Sequence, residues 1–69
     1  MPDDRVTVYR FGAGQHRAAV RMIRALYKAR LRRPALVIGG GRTLITLPAS
    51  QLPALRALQR DEPERFGGC

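Results

Sequence analysis

The chain is 69 residues long, enough for one small domain and no second core. Its sole cysteine, Cys69, excludes an intrachain disulfide and a cysteine metal cluster, and its apolar runs are far too short to cross a bilayer. Formal net charge is +8, from 13 Lys+Arg against 5 Asp+Glu.

The placement of charge says more than its sum. Asp3, Asp4, Asp61, Glu62 and Glu64 all sit near the ends, and no carboxylate falls between Arg5 and Arg60. A positive field of that extent is met by solvent, counterions or a partner. The opening "MPDDR" is acidic where an export signal is basic, so a soluble protein of a reducing cytoplasm is expected.

Residues 1–4 read as an N-terminal tail and 5–60 as a basic domain. "RVTVYRF" (5–11) alternates, with Val6, Val8 and Arg10 on one side and Thr7, Tyr9 and Phe11 on the other, the period of a strand. "GAG" (12–14) then breaks it. In "FGAGQHRAA" a strand gives way to a helix through two glycines, the outline of a phosphate-holding loop. Gly12, Gly14 and His16 form a candidate anion loop on that reading. A tight turn accounts for the glycines equally well, and the third glycine of a dinucleotide fingerprint is missing.

The spacing predicts a helix from Gln15 to Arg33, stopped by Pro34, because the residue before a proline avoids helical geometry. "ALVI" (35–38) and "TLITL" (43–47) read as strands of a hairpin that turns around Gly39–Gly41. Pro48 closes the second of them. Ser50 then serves as the N-cap of a helix carrying Leu52, Leu55 and Leu58, with Pro53 in its first turn. "DEPERFGGC" (61–69) reads as an acidic, glycine-containing polar tail. The order β-α-β-β-α gives an α+β domain. Its hairpin and N-terminal strand share one sheet, and the helices pack on that sheet.

On a helical wheel, Arg17, Arg21, Arg24, Lys28 and Arg32 fall within roughly 80° of arc. Ala19, Met22, Ile23 and Leu26 lie on the opposite side, which is the side expected to meet the sheet. Like charges at these spacings destabilise a helix by about 0.2–0.5 kcal/mol per pair. A merely solvated face would interleave Glu, and here there is none. Five cations on one helix side suit a densely charged anion, of which nucleic acid is the natural example. Arg10, Arg42, Arg56 and Arg60 are candidate extensions whose faces the sequence leaves open. Four aromatics are thin for a base-stacking platform, so phosphate contact is expected over base readout. Codon bias toward Arg explains Arg over Lys but does not remove Asp and Glu.

Catalysis finds little to work with. His16 has no carboxylate in the central block to orient it, Cys69 is terminal, and neither a metal nor another cofactor is expected. The Met-Pro start and the β-α-β order of the first 47 residues resemble, in outline, the small tautomerases. That resemblance implies Pro2 as an N-terminal base, although Asp3 and Asp4 beside it would raise its pKa.

The leading expectation is a non-catalytic basic module that contacts nucleic acid or a nucleoprotein complex. A small inhibitor or adaptor of the phage or mobile-element type, docked on an acidic protein surface, is the alternative. A Pro2 tautomerase-like enzyme comes third. No membrane partner is expected, and a homodimer is one way for a chain this short to gain stability.

Overall fold

The structure, a computed structural model, describes residues 4–67. In chain order it has β1 (Arg5–Phe11), α1 (His16–Lys28), β2 (Ala35–Gly39), β3 (Arg42–Pro48), a 3-10 turn (Ala49–Gln51), α2 (Leu52–Asp61) and a last helical turn, α3 (Pro63–Phe66). The strands make one antiparallel sheet in the order β1-β3-β2. Strands β1 and β2 are therefore parallel, joined by α1 and split by β3. The α+β class and the β-α-β-β-α order are both present, with α3 added.

Alternation along β3 sets the two faces of the sheet. Thr43, Ile45 and Leu47 are buried beneath the helices, while Leu44 and Thr46 are half-buried on the outer face. Simple alternation along β1 would separate Val6 from Tyr9 and Phe11. Instead the register shifts between Thr7 and Tyr9, so that Val6 opposes Leu47, Tyr9 opposes Ile45 and Phe11 opposes Thr43. Val8 is the extra residue of a bulge, and one inserted residue reverses the side on which every later side chain falls. Val6 thereby shares the inner face with both aromatics, and Arg10 stays outside, opposite Leu44. The hairpin forms as expected. Gly39 pairs with Arg42, and Gly40 and Gly41, at φ 58° and 73°, make the two-residue turn with two left-handed positions that suits the strand twist.

Helix α1 ends at Lys28, five residues before the predicted stop at Arg33. The Leu31 N–H donates to the Leu26 carbonyl at 3.1 Å and the Arg30 N–H to the Tyr27 carbonyl at 2.9 Å, with Arg30 left-handed at φ 66°. This is a Schellman termination, and its apolar contact joins Leu31 to Leu26, both buried. Continued as a helix, Leu31 would point into the cationic arc at roughly 320° on the wheel. The turn puts it in the core instead.

Two expectations for the C-terminal third also change. Ser50 lies inside the 3-10 turn, and α2 begins after Gln51 without a side-chain cap bond, with a proline in its first turn. Residues 61–66 are not a tail. Asp61 closes α2, Pro63 opens α3, and Phe66 is 2% exposed within the core of Tyr9, Leu26, Leu31, Ile45, Leu47 and Leu55. A lone aromatic among polar residues gives no periodic signal, and its place in the core comes from partners distant in the chain. Among the described residues no helix is long and apolar enough to cross a membrane.

Candidate functional site

Helix α1 separates its two jobs by face. Ala19 and Leu26 are fully buried against the sheet, whereas Arg17, Arg21, Arg24 and Lys28 are exposed on the opposite side. Arg32, the fifth predicted member, does not belong to this row. It lies beyond the Schellman turn, where its backbone N–H donates to Gln51 Oε1 at 2.9 Å. The helical row is thus four residues long.

A fifth cation comes from elsewhere. Arg65, on α3, meets Arg21, Arg24 and Lys28 around Ala25 in a shallow concavity of about 180 Å³. A neighbouring hollow of about 290 Å³ is lined by Ala18, Arg21, Met22, Ala25 and Arg65. The small side chains of Ala18 and Ala25 keep the floor low between flanking guanidinium groups. Burial of Phe66 anchors α3 and so holds Arg65 beside α1. The Arg65 guanidinium carbon stands 5.7 Å from the Phe66 ring centroid, and its Nη1 is 3.6 Å from Glu62 Oε1.

Among the described residues the ion pairs are Arg60–Asp61 and Arg65–Glu62, both at 3.6 Å and both well exposed. Neither involves α1. Among the described residues no carboxylate is ion-paired with Arg17, Arg21, Arg24 or Lys28, and Glu62, the partner of Arg65, lines a hollow next to Lys28. Exposed groups within a Debye length of about 8 Å sum their fields, so the row acts as one positive strip.

The other arginines are dispersed. Arg10 and Arg42 lie on the outer sheet face, on the far side of the sheet from α1, and do not extend its row. Arg56 and Arg60 belong to α2 and are exposed, with Arg60 beside Asp61. Arg5 is a clamp: its Nε donates to Thr46 Oγ1 at 3.0 Å, and its Nη2 donates to the carbonyls of Thr46 at 3.0 Å and Arg33 at 2.5 Å. It ties β1 and β3 to the segment that leads into β2.

The candidate anion loop is closed on itself. The Gln15 N–H donates to the Gly12 carbonyl at 3.2 Å, and the Gly12 N–H donates to Gln15 Oε1 at 2.9 Å. The Gly12 and Gln15 amides are therefore engaged within the turn itself. Gly14, at φ 83°, is there for the turn, and His16 is exposed at the start of α1. Pro2 and Cys69 lie outside the described residues, and among those described no three His, Cys, Asp or Glu side chains are grouped to hold a metal ion.

Comparison with protein-family models, with curated proteins and with solved structures finds no match, so any functional reading rests on these residues alone.

Proposed function

We propose that this chain is a non-catalytic, cytoplasmic binding module that lays the exposed side of α1 along the phosphate backbone of nucleic acid, alone or within a nucleoprotein complex. The observation that carries this reading is the row Arg17, Arg21, Arg24 and Lys28, joined by Arg65, with no carboxylate paired to the four helical members among the described residues. From Arg17 to Lys28 the row runs about 16 Å at 1.5 Å per residue, or about five base-pair steps of 3.4 Å. Guanidinium groups suit this role, because they stay charged and grip phosphate oxygens in pairs. The concavity around Ala25 is the place where three helical cations and Arg65 meet a single anionic group. Nothing in the row is aromatic, so the contact favours phosphate over base and carries little sequence preference.

Titration of a duplex across a salt series tests this. Four to five phosphate contacts give a slope of about −4 in log affinity against log salt, at about −0.9 per contact. Joint replacement Arg21→Glu and Arg24→Glu should weaken binding to every sequence alike. Unchanged retention on DNA at moderate salt would overturn the proposal. A stoichiometric protein complex that survives nuclease treatment, yet is lost in the same variant, would assign the row to an acidic protein surface instead.

A further inference from the structure

The exposed large apolar side chains among the described residues are Tyr27, Val37 and Ile38, at 58%, 48% and 66% exposure. They are not scattered. Val37 and Ile38 lie on β2, an edge strand whose outer N–H and C=O groups have no neighbouring strand among the described residues. The Tyr27 hydroxyl donates at 3.2 Å to the carbonyl of Pro34, the residue just before β2, so the Tyr27 flank of α1 overlooks this edge. Val20 and Ile23, half-buried, share that flank at i, i+3 and i+7 spacing with Tyr27. The opposite flank, with Ala18, Met22 and Ala25, faces Arg65. Leu36 and Ile38 sit on the inner side of β2, opposite Ile45 and Thr43. An uncharged strip therefore runs along the molecule, with a helix flank above and an open strand edge beside it.

The two sheet edges differ in how they are protected. Strand β1 carries a bulge at Val8 and the cations Arg5 and Arg10. Both are recognised devices against strand addition. Strand β2, "ALVIG", pairs with β3 without any irregularity and has no charge, no proline and no bulge. An acidic partner is drawn to the basic row rather than to this neutral strip. A second copy fits it best, because a two-fold contact needs one surface that complements itself.

We infer that the chain forms a two-fold dimer by antiparallel pairing of β2 with β2 of a second copy, closed above by the Val20, Ile23 and Tyr27 flanks of the two α1 helices. Pairing centred on Val37 sets Leu36 against Ile38 of the second copy on the inner face and Val37 against its own counterpart outside. The result is a continuous six-stranded sheet with all helices on one side. A flank about 10 Å long beside a five-residue strand offers a few hundred Å² per copy, the low end of specific contacts. Both basic rows then lie on the same side of the dimer. The contact itself does not depend on what those rows bind.

Sedimentation equilibrium of the nuclease-treated chain, without added nucleic acid, is the test. It should report a dimer of twice the 7.7 kDa chain mass. Ile38→Lys and the milder Ile38→Thr alter a side chain the monomer leaves exposed, so the circular dichroism should hold. Ile38→Lys should raise the dimer dissociation constant about tenfold or more, because it places a charge against Leu36 of the second copy and removes apolar burial. In a Cys69→Ser background, Val37→Cys should cross-link to itself under mild oxidation, and Arg56→Cys should not. A monomeric wild-type chain overturns the inference. So does a dimer that is indifferent to Ile38→Lys and lacks the cross-link at position 37.

Discussion

The Tyr9 hydroxyl donates a 2.5 Å hydrogen bond to the carbonyl oxygen of Phe66, 57 positions away in the chain. Both side chains are buried, so the bond joins the first strand to the last helical turn inside the core. Tyr9→Phe keeps the ring and removes the donor, leaving a buried carbonyl without a partner. The expected loss is about 1–3 kcal/mol, measured by urea unfolding. An unchanged midpoint would show that the Phe66 carbonyl finds water instead. Phe66→Ala removes the anchor itself and should cost about 3–5 kcal/mol.

The burial of Tyr9 also makes stability depend on alkaline pH. Burial of Tyr9 pushes its hydroxyl pKa above the ordinary 10.0, against a smaller opposing effect of the Gln59 side chain. The unfolded chain therefore gives up this proton first. The contribution is complete below pH 10 and is lost as pH rises through the folded value. Unfolding midpoints from about pH 9 to about pH 11 should fall in the wild type and fall less in Tyr9→Phe. Equal slopes in the two proteins would assign the decline to other groups.

The turn that ends α1 offers a stabilising change. Arg30 is left-handed at φ 66°, at the position where helices usually place glycine. A side chain in that conformation costs about 1–2 kcal/mol, and the added backbone freedom of glycine in the unfolded chain returns part of the gain. Arg30→Gly should stabilise by about 1 kcal/mol, a rise of about 4–8 °C in Tm for a domain this small. Arg30 is outside the basic row, so nucleic-acid binding should stay within about twofold. A lower Tm would mean that the Arg30 side chain makes a stabilising contact of its own.

The parts of the fold readable from sequence are those with local causes. Ala19 and Leu26 opposite Arg17, Arg21, Arg24 and Lys28 follow from helical periodicity, and Gly40 and Gly41 dictate the hairpin by their conformation. The remainder depends on partners distant in sequence. The bulge at Val8 appears only when β1 is set against β3, and Phe66 becomes core only through residues far from it in the chain, Tyr9 among them. The early helix end had a local signal, Leu31 on the cationic side of the wheel, which Pro34 as an obvious stop overshadowed. That one misplacement put Arg32 in the row. Arg65 was missed for the opposite reason: α3 is too short to show a period, and its place beside α1 is a tertiary fact.

Single substitutions should sort the arginines by their position on the molecule. Arg24→Ala and Arg65→Ala each remove one cation from the concavity around Ala25, so each should reduce the salt slope by about one contact. Arg32→Ala, Arg10→Ala and Arg42→Ala remove exposed charges from the α1–β2 connection and the outer sheet face, and each should leave the slope unchanged. Total charge is the same in all five variants, which separates a located surface from a diffuse positive field. Equal losses across the five would show that net charge, not the α1 row, holds the nucleic acid. A loss confined to Arg10→Ala and Arg42→Ala would move the interface to the outer face of the sheet. Filter binding of the five proteins to one duplex at three salt concentrations distinguishes these outcomes, with circular dichroism confirming that each variant is folded.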